Sequence, residues 1–263
     1  MDLPQNRFKQ RLANKEKLIG SWLMSGSSVI AEAMGCVGFD YLVLDMEHVA
    51  IDVPDAMAMM QAIEASGTPT LVRLVWNDMV LIKRILDAGA QSIMLPYVQD
   101  AEQARLAVSY AHYPPQGVRG VAGLHRASRW GNVSHYLKEA DSEVMVTVQL
   151  ETLGAVEKIE EIAAVDGLDG LFIGPADLAA SMGMLGDMNN TRVQELLERG
   201  ARFCNRIGKP IGIVAGTPDM AKRYVHYGFD HVAVGIDVGM MISRANEYLA
   251  AMREQKAKAV GGY

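Results

Sequence analysis

Two cysteines, Cys36 and Cys204, stand far apart in 263 residues. A small secreted domain stapled by disulfides carries more, so the count points to a reducing compartment. The first residues, MDLPQNRFKQRLANKEK, lack the apolar core of a secretory signal. No run approaches the roughly 18 consecutive apolar residues of a transmembrane helix. Neither a G-x-G-x-x-G nor a Walker pattern occurs, which removes the usual nucleotide cradles. There is no H-E-x-x-H and no Cys/His cluster for a closed zinc site. Positive charge is not in excess either, with 25 Lys and Arg against 31 Asp and Glu and a net charge of −6. Basic residues so few and so dispersed argue against a nucleic-acid or anionic-membrane surface. These absences predict a cytoplasmic protein acting on small molecules, with no nucleic-acid or membrane partner.

What is present is an α/β rhythm. Half of the residues are apolar, enough for one large core, and barrels of about 250 residues are routinely single domains. Residues 1–263 therefore read as one domain. Short apolar runs alternate with longer amphipathic stretches, as in parallel βαβ units. Strands are predicted at Ile19–Met24, Tyr41–Asp45, Pro69–Leu74, Ser92–Pro96, Met145–Glu151, Gly170–Ile173, Pro210–Val214 and His231–Gly235. Helical patterns lie at Pro54–Ala65, Met79–Ala88, Ala101–Tyr110, Thr191–Ile207 and Pro218–Tyr227. Eight apolar strands without a glycine fingerprint predict a (β/α)8 barrel. Two connections are long: Tyr97 to Glu143, with a further helix near Val133–Ala140, and Ala176 to Lys209, with extra loop at Gly183–Asn190. The last residues, Lys256–Tyr263, are predicted to fray.

Barrel enzymes place their reacting groups at the C-terminal ends of the strands. Here those ends read Trp22, then Asp45 with Glu47 and His48, then Arg73, Pro96, and Gln149 with Glu151. The sixth strand adds Gly174-Pro175-Ala176-Asp177. Glu151 and Asp177 follow adjacent strands, which lie about 4.8 Å apart, so the two can share a cation. An all-oxygen set suits Mg2+ or Mn2+, with Co2+ and Zn2+ as alternatives. Taken alone, Asp177 also reads as a helix cap. His48 alone among six histidines directly follows a predicted strand, and its ordinary pKa suits proton transfer. Asp45 and Glu47 share its turn and can orient it. Arg73 can hold a carboxylate and a developing enolate, or simply pair with a neighbouring acid. Arg119, His125, Arg126 and Arg129 form a basic cluster that reads as an anion-steering loop, a subunit contact or a solvated loop. Lysine is informative by its absence. Lys83, Lys158 and Lys222 fall on helical patterns and Lys209 precedes a strand, so no lysine is placed for a Schiff base inside the barrel.

Several motifs occur together in order. They are Gly20-Ser21-Trp22, Gly38-Phe39-Asp40-Tyr41, Asp45-Met46-Glu47-His48, Val72-Arg73, Tyr113-Pro114-Pro115-x-Gly-x-Arg-Gly, Val148-Gln149-Leu150-Glu151 and Phe172-Ile173-Gly174-Pro175-Ala176-Asp177-Leu178. The set, spanning about Asn6 to Leu249, resembles the HpcH/HpaI aldolase family. That resemblance implies a barrel of the phosphoenolpyruvate/pyruvate superfamily and class II pyruvate aldolase chemistry. It also implies a role for each matched residue. Glu151 and Asp177 would hold the divalent metal, His48 would be the base and Arg73 would stabilise the pyruvate enolate. Gln149, Gly174, Pro175 and Ala176 would bind substrate, beside Trp22 at the first strand's end. Asp45 would partner the histidine, and Asp87 would raise its basicity from a neighbouring subunit. Homohexamers with a swapped C-terminal helix are implied as well. The chain departs from the commoner Asp-Gly-Glu-His-Ala-Pro-Asn pattern in having Met46 for Gly and Ala50 for Pro, which bears on loop shape and aldehyde specificity.

The resulting expectation is reversible cleavage of a 4-hydroxy-2-oxo acid into pyruvate and an aldehyde. An oxaloacetate decarboxylase or CoA-ester lyase would use the same enolate, and a catalytically silent barrel would bind without turnover.

Overall fold

In the computed structural model, which describes residues 1–253, eight parallel strands close into a barrel in sequence order. They are β1 (Leu18–Leu23), β2 (Tyr41–Asp45), β3 (Thr70–Arg73), β4 (Ser92–Leu95), β5 (Met145–Leu150), β6 (Gly170–Ile173), β7 (Ile211–Ala215) and β8 (His231–Ile236). Every predicted strand is present, with ends shifted by at most two residues. The helices are α1 (Arg7–Ala13), α2 (Ser28–Gly35), α3 (Val53–Glu64), α4 (Met79–Asp87), α5 (Ala101–Ala111) and α6 (Tyr136–Glu143). They continue with α7 (Leu153–Glu157), α8 (Ile159–Ala163), α9 (Pro175–Ser181), α10 (Thr191–Ile207), α11 (Pro218–Tyr227) and α12 (Asp237–Met252). The predicted fraying of Lys256–Tyr263 lies outside the described residues. No described helix is long and apolar enough to cross a membrane.

The helices begin where the sequence supplies a side-chain acceptor for their unpaired amides. Ser27, Asp52, Asp78, Asp100, Thr152 and Thr217 each accept from the first turn that follows. All six caps stand on connections that follow strands, so they ring one end of the barrel, called here the mouth. At the other end α10 and α11 stop at Gly208 and Gly228 in left-handed conformation.

Two apolar layers result. The larger packs the outward faces of the strands, including Leu42, Val72, Val148 and Ile213, against α3, α4, α5 and α10. The smaller fills the barrel itself and is built on aromatic rings. From the closed end upward, Phe8 of α1 packs 4.7 Å from Tyr41 and 5.2 Å from His231. His231 lies 5.8 Å from Phe172, and Phe172 lies 5.8 Å from Trp22. Room for this column comes from Gly212, where an added Cβ would collide with the His231 ring. The α1 plug was not legible in the sequence as an element, yet it closes the barrel floor.

The long connection after α5 also lies at the closed end. Arg119 is buried there, donating to Asp87 at 2.7 Å with its guanidinium 4.5 Å over the Tyr113 ring. The helix expected near Val133–Ala140 begins later, at Tyr136.

His231 is fully buried, its Nδ1 3.1 Å from the Tyr41 hydroxyl, and burial pushes its pKa down to about 3. The unfolded chain therefore takes up a proton below about pH 6.5 that the folded chain refuses, so folded stability falls as pH drops. Between pH 7 and pH 5 this one residue should cost about 2 kcal/mol. Urea unfolding of the wild type and His231→Gln at both pH values tests this. The variant should lose less stability by about that amount, and equal losses would refute the assignment.

Candidate active site

The β2–β3 register sets Asp45 beside Arg73 at the mouth. Both are buried, and they form a bidentate ion pair, Arg73 Nε to Asp45 Oδ1 at 2.8 Å and Nη2 to Oδ2 at 2.6 Å. Arg73 Nη1 lies 3.0 Å from Glu47 Oε2, and its guanidinium sits 4.8 Å above the Trp22 ring, the top of the aromatic column. Burial alone would raise the Asp45 pKa, but the Arg73 contacts hold it below its ordinary value. Asp45 Oδ1 also accepts from the backbone amides of Glu47 (2.9 Å) and His48 (3.4 Å). Asp45 thus shapes the turn that carries His48 through the backbone. Its bonds to His48 run through the backbone amide and not the ring, so Asp45 can orient the histidine only by shaping its turn. The alternative of an ion pair for Arg73 is realised, and it fixes the guanidinium instead of removing it from the site.

On the opposite wall Glu151 is buried, accepting from Gln149 Nε2 at 2.8 Å and from the backbone amide of Tyr97 at 2.7 Å. Gln149 Oε1 is buried without a partner. Gly174 lets this pair approach, since a Cβ there would lie 3.0 Å from Glu151 Oε1 and 3.1 Å from Gln149 Nε2. Asp177 is exposed on the first turn of α9. The cap position belongs to Gly174, so the carboxylate does not serve as the N-cap. Burial and the nearby Glu47 and Asp177 carboxylates push the Glu151 pKa up to about 7, against the Tyr97 amide and Arg73. Glu47 is raised by burial despite Arg73 and His48. A narrow pocket of about 10 Å3 runs between Trp22, Arg73, Gln149, Gly174, Pro175, Ala176, Asp177 and Val214. It unites seven of the predicted residues, with Glu151 against Gln149 and His48 on the adjoining rim.

Asp87 is the predicted residue left out. It ends α4 at the closed end of the barrel, where it meets Arg119 and lies 3.7 Å from His125 Nε2. Within this chain it stands with the basic cluster, far from the turn that carries His48. That cluster also sits at the closed end, so it does not steer anions into this chain's own mouth. Arg126 and Arg129 are both paired with Glu64. A larger cavity of about 420 Å3 opens beside them and contains none of the mouth residues. Sequence reasoning missed Tyr97 and Val214. Tyr97 takes φ +56°, unusual for a non-glycine residue, so that its amide faces Glu151. Nothing in its residue type announces this.

Residues 18–244 match the HpcH/HpaI aldolase/citrate lyase family. A 2-dehydro-3,6-dideoxy-6-sulfogluconate aldolase from Pseudomonas putida is 46% identical over 91% of this chain and 94% of its own. A hydroxypyruvate/pyruvate aldolase from Sagittula stellata is 42% identical over 93% of this chain and 97% of its own. A crystal structure of a family protein from Burkholderia cenocepacia J2315 superimposes with a TM-score of 0.91 at 38% identity, covering 95% of this chain and 100% of that one.

The raised Glu151 pKa carries a stability cost of a definite sign. The folded carboxyl holds its proton up to about pH 7, whereas an unfolded one releases it near its ordinary value of 4.5. Stability in a chelating buffer therefore falls as pH rises from 5 to 8, by about 2.5 kcal/mol for this group. Glu151→Gln should flatten the pH dependence by that amount in denaturant melts. An unchanged slope would show that Glu151 is not the strained acid.

Proposed function

This chain belongs to the HpcH/HpaI aldolase/citrate lyase family, and we propose that it is a class II pyruvate aldolase whose divalent cation is held by Glu151 and Asp177. The observation that carries the reading is buried Glu151, held beside the pocket by only the Gln149 carboxamide and the Tyr97 amide and pushed up to about 7 by burial and by the Glu47 and Asp177 carboxylates, with Arg73 as the only cation in the pocket's described lining. Carboxylates drive up one another's pKa unless a cation joins them. No group of three or more His, Cys, Asp or Glu placed for a metal exists among the described residues. Two carboxylates leave the remaining positions to solvent and substrate oxygens, the pattern Mg2+ and Mn2+ prefer. Bound there, the cation supplies Lewis-acid polarisation of the substrate's 2-oxo group.

The chain's own residues do the rest. The substrate carboxylate and 2-oxo group enter between Arg73 and the Gly174-Pro175-Ala176 turn, whose amides and small side chains leave space. The unpartnered Gln149 Oε1 accepts a hydrogen bond from bound substrate or solvent. His48, at the solvent-facing rim, takes the proton from the 4-hydroxyl. The C3–C4 electron pair moves into the C2–C3 bond, C4 leaves as the aldehyde carbonyl, and a pyruvate enolate remains. Negative charge on that enolate oxygen faces Arg73, already oriented by Asp45, so little reorganisation is needed as charge develops. Protonation at C3 completes pyruvate, and the reverse sequence forms the bond.

The assembly fits the same reading. α12 meets β1 and β8, while Met240, Met241, Ile242, Tyr248, Leu249 and Met252 stay exposed along it. An apolar helix so uncovered suits exchange with a second copy in a cytoplasmic homohexamer. Light scattering should give six times 28.6 kDa, and a monomer would rule this out. In such an assembly Asp87 acts from a neighbouring subunit on His48, since within its own chain it stands at the other end.

The chemistry has a direct test. In D2O with Mg2+ or Mn2+, the pyruvate methyl group should exchange its protons without any aldehyde present. Chelation or Glu151→Gln should slow exchange by at least about a hundredfold, and Arg73→Lys by about tenfold to a hundredfold. Exchange that persists undiminished in chelator removes the metal role. Release of product from oxaloacetate or a CoA ester, faster than from any 4-hydroxy-2-oxo acid, would favour the decarboxylase or CoA-lyase chemistry instead.

A further inference from the structure

The connection after α5 clamps the last turn of α4. Arg119 Nη2 donates to Asp87 Oδ1 at 2.7 Å, and the Ala127 amide donates to the Asp87 carbonyl at 3.1 Å. Arg126 Nη1 donates to the Ala88 carbonyl at 3.0 Å. His125 backs the same carboxylate oxygen as Arg119. Its Nδ1 accepts from the Ser128 amide, so the neutral ring carries its proton on Nε2, 3.7 Å from Asp87 Oδ1. Asp87 Oδ2 receives no hydrogen bond from any described residue, and the side chain is 23% exposed. One oxygen is held from within the chain and the other is left open.

Folding does not call for this arrangement. Asp87 is the last residue of α4, where the negative end of the helix dipole disfavours a carboxylate. Arg119 is buried with its guanidinium 4.5 Å over the Tyr113 ring, yet Nε and Nη1 have no hydrogen-bond partner among the described residues. A buried guanidinium with one carboxylate and two idle donors is costly, and an apolar side chain of similar size often serves folding as well or better. What the guanidinium adds is a fixed direction for Asp87. The same connection leaves Val121, Leu124 and Trp130 64%, 78% and 66% exposed. Large apolar side chains bared together on one short stretch suit cover by a second copy of the chain.

Resting on the assembly reading above, in which Asp87 meets His48 of the partner subunit, we propose that Arg119 is a positioning residue for that encounter. It fixes Asp87 through Oδ1 so that Oδ2 is presented to the imidazole across the interface. Arg119 itself touches neither substrate nor cation.

The test uses the sharing of one site by two subunits, with activity read on the 4-hydroxy-2-oxo acid that the wild type cleaves fastest. Arg119→Met keeps bulk over Tyr113 and removes the charge. It should lower kcat by about tenfold to a hundredfold, as a misplaced group does, with KM within about twofold of the wild type. Co-assembly with inactive His48→Ala subunits should then restore activity. About one site in four would join an intact His48 to an intact Arg119–Asp87 pair, giving about a quarter of the wild-type kcat. A purely structural lesion stays with its own chain and gains nothing from such mixing. Arg119→Met mixed with Asp87→Asn should show no rescue, because both lesions fall on the same side of the interface. Full kcat in Arg119→Met, no rescue by His48→Ala, or rescue by Asp87→Asn each overturns the proposal. Where Arg119→Met does not assemble, Arg119→Lys takes its place. A single ammonium cannot both stack on Tyr113 and hold Oδ1, so the same loss and the same rescue are expected. The underlying reading fails at other points and takes the proposal with it. If His48→Ala subunits do not rescue Asp87→Asn, Asp87 does not act across the interface, and a wild type that cleaves no 4-hydroxy-2-oxo acid is not an aldolase.

Discussion

The buried Asp45–Arg73 ion pair is the interaction on which the mouth of this barrel depends. Taking both charges out of water carries a penalty of several kcal/mol per ion, recovered only where geometry is good and the remaining donors and acceptors are used. Each requirement is met by a neighbour that matters to the site. Asp45 spends its spare acceptor capacity on the Glu47 and His48 amides, which sets the path of the turn. Arg73 turns its outer edge to Glu47 and its face to Trp22. Trp22 in turn stands on Phe172, His231, Tyr41 and Phe8. A guanidinium supported from below by a packed ring column and clamped from the side by a carboxylate has one orientation available. That rigidity is what electrostatic stabilisation of an enolate demands.

The same wall explains an imbalance. Around the pocket one arginine faces four carboxylates: Asp45, Glu47, Glu151 and Asp177. Asp45 is satisfied and Glu151 is not, although both are buried. The difference lies in partners, not in depth, because Asp45 has a bidentate guanidinium and Glu151 has only an amide and a carboxamide. A site designed for folding alone would have paired or neutralised Glu151. Leaving it short of positive charge lowers the stability of the folded chain, the usual exchange at functional sites, and fits the cation-holding role proposed for it.

Much of this was legible in the sequence for a simple reason. Buried parallel strands are continuous apolar runs, so a polar residue at the end of one, such as Asp45, Arg73 or Glu151, is conspicuous. α10 and α11 were equally legible because their caps, Asn190, Thr217, Gly208 and Gly228, are strong local signals. What escaped depends on contacts between distant segments. Asp45 shares a turn with His48 and bonds its amide, but its main partner, Arg73 on the strand beside it, is a contact that proximity along the chain does not reveal. The Arg119–Arg129 cluster read equally as an anion-steering loop, a subunit contact or a solvated loop, because composition does not show that α5 carries the chain to the closed end before the cluster begins. Tyr97 gave no signal because its importance lies in a backbone amide and a positive φ, neither of which is written in side-chain type.

The unusual turn after His48 shows how the two kinds of information combine. Met46 stands where relatives of the commoner pattern carry glycine, and read alone it suggested an altered loop. In the structure Met46 is buried in the outer apolar layer, and its amide donates to the Arg73 carbonyl at 3.0 Å. The amide bond is one that glycine would make as well, so what the methionine adds is its buried side chain, which packs the turn against the outer apolar layer. Farther along, Val49 and Ile51 close over Gly26 of the first connection. The Met46 side chain thus packs behind the turn, on the side away from the Asp45–Arg73 pair. Variation of this kind leaves the Asp45–Arg73 pair intact and falls on the shape of the rim around the His48 turn.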